Sequence, residues 1–232
     1  PFQSLIINYI KKNFLTIKTI GYIHSFPSFP SHFLKSENSP HKIILNSNDQ
    51  KITFRKYLKW SDDQIKVLPS TRFFENTTSL KENIIYLPID FESSHKIISN
   101  FKKMLQIEKK INFSKFKIRN HPAANNSKKH HKLINDLYLI VKNKKNIDFN
   151  SKEKIAIFIG STGAVIEALK HNFKVIHIGE NSLFDFYHNF IWPSIDNDFI
   201  NEKIVKYKIK NYDSILFNNE NNVFEKYLFG FR

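Results

Sequence analysis

The sequence predicts an α/β fold in which parallel strands alternate with helices. Short apolar runs such as residues 155–159 alternate with segments whose apolar side chains recur at helical spacing, which is typical of strand–helix–strand units. The 232 residues are 41% hydrophobic, which is enough for a substantial core. The sequence contains no run of 18 or more apolar residues, so no membrane-spanning segment is predicted. We expect a globular protein.

The first 70 residues predict the end of one α/β unit. Helical spacing predicts an amphipathic helix over residues 4–14, and a strand is expected over 17–24. Residues 25–40 are rich in proline, serine and aromatic residues, which predicts a long loop. A strand over 42–46, a helix over 48–60 that is capped by Asn48 or Asp49, and a strand over 65–68 complete this unit.

A polar stretch over residues 70–81 predicts a boundary, after which a second series begins. Strands over 83–88, 116–119, 155–159 and 173–178 alternate with helices over 92–107, 128–141 and 164–172. This alternation predicts a parallel sheet with helices on both faces. Helical segments are expected between 182 and 227. The predicted domains are therefore 1–78, the end of an N-terminal domain, and 79–232, a complete C-terminal domain.

The formal net charge of +15 suggests an anionic partner. The basic residues are spread in pairs such as Lys11-Lys12, and no helix-turn-helix, RNA-binding or zinc-finger pattern is present. We therefore expect a basic face toward a nucleotide or an anionic membrane surface, and no nucleic acid partner. The absence of cysteine excludes disulfides and fits the cytoplasm. Because the chain begins at Pro1 and its only methionine is Met104, we expect a piece of a longer protein.

Residues 160–163 (Gly-Ser-Thr-Gly) carry the first candidate site, between a buried apolar strand and a helix. Gly160 and Gly163 are two of only five glycines, which suggests a demanding turn or a close approach to a ligand. Ser161 and Thr162 add hydroxyls, and backbone N–H groups at a helix start can receive a phosphate. A capped helix without a ligand is the alternative. The segment matches neither a P-loop nor a dinucleotide-binding motif.

His121 ends another predicted strand, about forty residues earlier, and Pro122 holds it in an extended conformation. Near a phosphate its imidazole could donate a charge-assisted hydrogen bond or act as a general acid, although a single histidine at a strand end can also be structural. Arg119 could add to an anion-binding field. Glu167 could accept bonds from ribose hydroxyls or face solvent. If the two strands are neighbours, His121 and Ser161 lie at one crevice of a parallel sheet.

The remaining histidines give weaker signals. His130 and His131 lie in a stretch rich in lysine and asparagine, which predicts a solvated surface. No histidine pair has metal-ligand spacing and no Asp-x-Asp pattern is present, so no metal is predicted. Ser161 does not lie in a Gly-x-Ser-x-Gly elbow, which argues against a serine nucleophile.

The pairs His121-Pro122 and Ser161-Thr162, each after a strand of one α/β domain, resemble the HP and SS/ST motifs of bacterial GT-B sialyltransferases and the related Kdo transferases. Residues 19–25, 42–48 and 68–73 look similar to the interdomain region of bacterial surface-carbohydrate biosynthesis proteins. The resemblance covers most of residues 17–180. It implies a GT-B-like fold, in which a Rossmann-like C-terminal domain binds a nucleotide sugar.

The resemblance also implies an activity. Such an enzyme transfers an acidic sugar, such as sialic acid or Kdo, from a CMP donor to a cell-surface glycan or a lipid-linked acceptor. His121 would contact the CMP phosphate and assist its departure, Ser161 and Thr162 would bind the same phosphate, and Glu167 matches a glutamate placed against the ribose. No cofactor other than the CMP-sugar substrate is implied. The implied location is the cytoplasm, including the inner face of the membrane.

One part of the family pattern is missing. The acidic motif that supplies the catalytic base lies in the N-terminal domain of sialyltransferases, and nothing in residues 1–70 matches it. Asp62-Asp63 is followed by Gln64 rather than glycine. We therefore expect the base outside this chain. Two alternatives stay open: a CDP-polyol phosphotransferase of the teichoic-acid type, and a non-catalytic GT-B-like binding protein.

Overall fold

The computed structural model describes residues 2–23, 25–68, 82–109, 111, 113, 116–143 and 154–211. These residues form a mixed α/β structure with one sheet of three strands and one of six. The chain divides into two compact units, of which the first comprises Pro1–Asn76, Phe190–Ser194 and Asn211–Arg232. The second comprises Thr77–Asn189 and Ile195–Lys210. The predicted boundary at residue 78, the polar stretch 70–81 and residues 212–227 lie outside the described residues.

The first unit contains a three-stranded parallel sheet in the order β1-β2-β3. Its elements in chain order are α1 (Phe2–Asn13), β1 (Ile20–Tyr22), a 3₁₀ helix (Ser31–Phe33), β2 (Lys42–Leu45), α2 (Asn48–Tyr57), a second 3₁₀ helix (Asp62–Gln64) and β3 (Ile65–Val67). The predicted helices and strands of this unit are confirmed, with ends that differ by a few residues. Phe54 of α2 packs with the strand residues Ile43 and Leu45 in the core.

The cap of α2 is Ser47, so the prediction of Asn48 or Asp49 was wrong. The Ser47 hydroxyl accepts a hydrogen bond from the Gln50 backbone N–H at 3.1 Å. Asp49 is buried, and its carboxylate accepts bonds from the Ser194 N–H and hydroxyl, both at 2.8 Å. Burial raises the pKa of Asp49, and the two bonds from Ser194 oppose that shift. Asp49 is therefore used to hold residues 190–194, not to cap its own helix.

Replacing Ser194 by alanine is expected to lower the free energy of unfolding by about 1–2 kcal/mol, because the buried Asp49 carboxylate loses a charge-assisted hydrogen bond. Urea denaturation measures the change. Ser31→Ala, at an exposed position, is the control and is expected to stay within about 0.5 kcal/mol of the wild type. Equal stabilities for both variants would contradict the assignment.

The second unit contains the six-stranded sheet, in the order β5-β4-β6-β7-β9-β8. Its elements in chain order are β4 (Ile84–Tyr86), α3 (Ser94–Ile107), β5 (Lys117–Arg119), a 3₁₀ helix (Pro122–Ala124), α4 (Lys128–Asn143), β6 (Ile155–Ile159), α5 (Ala164–Lys170), β7 (Lys174–Ile178), α6 (Ser182–Asp185), β8 (Ile195–Asn201) and β9 (Ile204–Ile209). The strands β5, β4, β6 and β7 are mutually parallel, as predicted.

The core of this unit follows the alternation of side chains along β6. Ile155, Ile157 and Ile159 share one hydrophobic cluster with residues of α3 and α4, among them Phe101 and Leu137. The alternate residues of a strand point to the opposite face of the sheet. Helix α5 contacts β7 and β9. Among the described residues, no helix is long and apolar enough to cross a membrane.

The prediction of helical segments after residue 182 was wrong for most of the described part. Only the four-residue α6 is helical, and β8 and β9 form an antiparallel hairpin that extends the sheet beyond β7. The sequence of β9, Ile-Val-Lys-Tyr-Lys-Ile, alternates apolar and basic residues from its second position onward, which is the period of a strand with one buried face. Val205 and Tyr207 are buried as this alternation requires.

Candidate functional site

Successive strands of the larger sheet are added in opposite directions on the two sides of the β4–β6 pair. The connection after β4 leads to β5 on one side, whereas the connection after β6 leads to β7 on the other. Open α/β sheets bind ligands outside the carboxyl ends of the strands at such a reversal. The candidate site is therefore built on the residues that follow β4 and β6, and the second of these segments is residues 160–163.

The strand register places His121 at the same level of the sheet as Gly160, on the opposite side of β4. Tyr86 of β4 pairs with both Arg119 of β5 and Phe158 of β6. His121 and Gly160 each follow two residues later. The condition that β5 and β6 are neighbours is not met, because β4 lies between them. Neighbouring strands are about 4.8 Å apart, so the axes of β5 and β6 are about 10 Å apart at one edge of the sheet.

Gly160 turns the chain at the end of β6. Its φ of +64° lies in the left-handed region, which side chains disfavour. A Cβ atom at this position would lie 3.1 Å from both Cβ and Cγ of Pro88, which follows the last residue of β4 by two positions. The Gly160 N–H donates to the Ile178 carbonyl at 2.8 Å and so continues the sheet. Glycine is therefore required here by both conformation and space.

Three consecutive backbone donors follow this turn. Within the described part of the chain, the N–H groups of Ser161, Thr162 and Gly163 have no protein acceptor. The Thr162 hydroxyl accepts a bond from the Ala164 N–H at 3.3 Å, and Ser161 is exposed. Helix α5 has seven residues, fewer than predicted, so its dipole is small. An anion at this position would depend on the individual N–H groups and hydroxyls.

A buried hydrogen-bond network supports the turn from below. His177 Nε2 donates to the Gly160 carbonyl at 2.7 Å, and its Nδ1 accepts from the Tyr207 hydroxyl at 3.1 Å. The Tyr207 oxygen accepts from the Tyr187 N–H at 3.1 Å, and the Tyr187 hydroxyl donates to the Thr162 carbonyl at 2.9 Å. The network thus fixes two carbonyls of the turn, Gly160 and Thr162. None of the three residues of this network was predicted as a site residue.

Burial determines the protonation of this network. It lowers the pKa of His177 to about 4, and the bond to the Gly160 carbonyl only partly opposes the shift. Burial also raises the pKa of Tyr207 well above its usual range. At neutral pH the ring of His177 is therefore uncharged and the hydroxyl of Tyr207 is protonated. Each group then has the donor and the acceptor that its contacts require.

His121 presents a donor at the end of β5. Its Nδ1 accepts a bond from the Ala123 N–H at 3.2 Å, so the proton of the neutral ring is on Nε2. His121 is half-buried and caps the short 3₁₀ helix in which Pro122 is the first residue. No described residue accepts a bond from Nε2. Arg119 is exposed, two residues before His121.

His130 is buried, so the prediction of a solvated side chain was wrong. Its Nδ1 lies 2.8 Å from the Ser127 hydroxyl and its Nε2 lies 3.0 Å from the Pro88 carbonyl. It thereby connects α4 to the end of β4. The signal that could have revealed this was helical spacing, because His130, Leu133 and Leu137 occupy one buried face of α4.

Glu167 lies in the first turn of α5 and is half-buried. Burial lowers the pKa of the neighbouring Lys170, and the charge of Glu167 only partly opposes this shift. That Glu167 accepts hydrogen bonds from ribose hydroxyls stays a prediction. Among the described residues, no group of three or more histidine, aspartate or glutamate side chains is arranged to hold a metal ion.

The structure thus brings His121 and residues 160–163 to one edge of the sheet, with Pro88 between them. Comparison of the chain with models of known protein families, with curated proteins and with solved structures finds no match.

Proposed function

We propose that this chain is a GT-B glycosyltransferase, or the donor-binding half of one, that transfers an acidic sugar such as sialic acid or Kdo from a CMP donor to a cell-surface glycan. One observation carries the proposal. The backbone N–H groups of residues 161–163, which have no acceptor among the described residues, follow β6 where the strand order reverses, and His121 lies at the same edge of the sheet. The resemblance of the two motifs supplies the chemical identity of the donor.

The proposed reaction transfers the sugar from phosphate to an acceptor hydroxyl. The acceptor oxygen forms a bond to the anomeric carbon, the bond from that carbon to the phosphate oxygen of CMP breaks, and the electron pair leaves with CMP. Negative charge therefore develops on the phosphate, where the N–H groups of residues 161–163 and the His121 imidazole would stabilise it. A phosphate located over the end of β4 would lie between these two sets of donors. The acceptor is a glycan or a lipid-linked glycan, which favours a location at the inner face of the membrane.

The acceptor proton requires a base, and the described first unit supports the view that the base lies elsewhere. Asp62 contacts Lys51 Nζ at 2.9 Å and Arg55 at 3.4 Å. The hydrogen bond from Lys51, together with the charges of both cations, lowers the pKa of Asp62. A carboxylate that is held ionised in ion pairs is a weak base. The same observation favours the second candidate, a non-catalytic protein that binds the nucleotide.

Binding of CMP tests the proposal. We expect CMP to raise the melting temperature of the protein, and His121→Ala and Ser161→Ala each to weaken CMP binding about tenfold, because each removes one donor to the phosphate. Isothermal titration calorimetry measures the affinities. His131→Ala, at an exposed position on α4, is the matched control and should bind CMP like the wild type.

The outcomes separate the candidates. Absence of CMP binding, or equal losses in His121→Ala and His131→Ala, would overturn the assignment of this site. Tighter binding of CDP-glycerol than of CMP-sialic acid would instead favour a CDP-polyol phosphotransferase. Binding of CMP without transfer of sugar from CMP-sialic acid would favour the non-catalytic protein.

A further inference from the structure

A cleft of about 460 Å³ lies within the first unit, and none of its residues belongs to the candidate nucleotide site. Lysine side chains from three separate parts of the chain line it: Lys11 in the last turn of α1, Lys35 in the loop before β2, and Lys59 after α2. The same cleft is lined by His41 and by one acidic residue, Glu37. Three lysines and one acidic residue therefore line the cleft.

Among the described residues, none of these three lysines forms an ion pair, and the Lys35 ammonium lies 5.7 Å from the centroid of the Trp60 ring. Lys11 Nζ donates to the backbone carbonyl of Glu37 at 2.9 Å, and Lys35 Nζ donates to the side-chain oxygen of Gln64. Both acceptors are neutral. Within the described ranges, the ion pairs involve other lysines, such as Lys51 and Lys117. The cleft consequently has a positive potential that an anion would lower.

Lys59 has an unusual backbone conformation, with a φ of +62°. Left-handed conformations are disfavoured for residues that carry a Cβ atom. Asparagine or glycine would fit this position with less strain, and yet it holds a lysine whose side chain lines the cleft. This conformation ends α2, because the Trp60 N–H donates to the Phe54 carbonyl at 3.2 Å across Lys59, and it thereby fixes the position from which the lysine side chain extends.

His41 also lines the cleft, and its imidazole is neutral. Its Nδ1 accepts from the Thr19 N–H at 3.0 Å, so its proton is on Nε2. Burial and the charges of Lys11 and Lys18 lower the pKa of His41, so the ring is neutral at neutral pH. The Nε2–H group has no acceptor among the described residues.

We propose that this cleft binds a phosphorylated ligand. Lysine ammonium groups are compact charges that suit phosphate, and three of them from different elements can surround a dianion or a diphosphate. The volume falls in the range of small-molecule sites and accommodates a diphosphate with a small substituent. Because no residue is shared with the candidate nucleotide site, this second site does not depend on the proposed function. The phosphate belongs either to a soluble molecule or to a lipid headgroup.

Adjacent lysines on α1 provide the test, because Lys11 lines the cleft and Lys12 does not. Pyrophosphate is titrated into the whole chain while the ring resonances of His41 are followed by NMR, with the exposed His95 as a reference. We expect pyrophosphate to shift the resonances of His41 but not those of His95. Lys11→Gln is expected to weaken binding about five- to tenfold, and Lys12→Gln, with the same net charge, to leave it unchanged.

Lys59→Asn separates binding from folding. Asparagine tolerates a positive φ, so this variant is expected to melt at or above the temperature of the wild type and still to bind pyrophosphate about five- to tenfold more weakly. Ser161→Ala is expected to leave pyrophosphate binding at this cleft unchanged, which distinguishes failure of this proposal from failure of the proposed function.

The second arm uses vesicles of phosphatidic acid in phosphatidylcholine. A response to free pyrophosphate that requires Lys11 identifies a soluble phosphorylated ligand. Vesicle binding that requires Lys11 and not Lys12, without a response to pyrophosphate, identifies a lipid phosphate. Equal losses in Lys11→Gln and Lys12→Gln would overturn the proposal, because non-specific attraction would then account for binding. Absence of binding in both arms would overturn it as well.

Discussion

Replacing His177 by alanine is expected to lower the free energy of unfolding of the second unit by about 3–5 kcal/mol. The ring is fully buried, so the substitution leaves a cavity. It also leaves the Gly160 carbonyl and the Tyr207 hydroxyl without the partners that they have at 2.7 and 3.1 Å. Unpaired buried polar groups add to the cost of the cavity, so the loss exceeds that of a purely apolar truncation of the same size.

The effect of His177 is expected to depend on pH in a defined direction. Between its ordinary pKa of 6.5 and the value of about 4 in the folded protein, the unfolded chain binds a proton that the folded chain does not. The contribution of His177 to the free energy of unfolding is therefore fully present above pH 6.5. It decreases by at most about 3 kcal/mol as the pH falls toward 4. Asp49 and Asp185, whose pKa values burial raises, act in the opposite direction in all variants.

Urea denaturation of the wild type and of His177→Ala at a series of pH values isolates this contribution, since the other groups are common to both proteins. The difference in stability should shrink on acidification. His95→Ala, at an exposed position on α3, controls for the loss of a histidine and should run parallel to the wild type. A difference that stays constant with pH would show that His177 is not held neutral.

Gly160→Ala is expected to cost about 2–4 kcal/mol and to abolish CMP binding at the proposed site. A left-handed backbone costs a residue with a side chain about 1–2 kcal/mol, and the added methyl group overlaps the rigid ring of Pro88. Either the turn or the end of β4 must then move. Movement of the turn displaces the N–H groups of residues 161–163, on which the proposed phosphate contacts depend.

Gly163→Ala provides the matched control three residues further on. Gly163 has φ −73° and ψ −11°, which alanine adopts without strain. This variant is expected to remain within about 0.5 kcal/mol of the wild type in urea denaturation and to bind CMP. Similar losses in both variants would mean that the segment tolerates no side chain for a reason other than the conformation of Gly160.

Most strands and helices could be predicted because their periodicity is local. Residues 155–159 form a fully buried strand, and α3 and α4 bury the stripes that their spacing indicates. The order of the strands could not be predicted, because nothing in the sequence of β4 shows that it lies between β5 and β6. The hairpin was missed because short strands with exposed polar residues, such as β8, resemble loops or helices at this length.

The candidate site was only partly accessible from the sequence. Glycines that bracket Ser161 and Thr162 indicated an unusual turn, and the positive φ of Gly160 explains one of them. The hydrogen bonds that hold this turn could not be predicted, because His177 and Tyr207 lie on strands and follow Gly160 by 17 and 47 residues. A lone histidine inside an apolar strand identifies a buried polar contact but does not identify its partner.

The hairpin has a consequence for the order in which the protein matures. Its second strand supplies Tyr207, which completes the chain of contacts to the Gly160 carbonyl through His177. During synthesis the ribosome must therefore release about fifty residues beyond the turn before the turn reaches its final shape. Nascent chains that end before residue 207 should already contain the parallel strands but lack the contacts that fix the Gly160 carbonyl through His177.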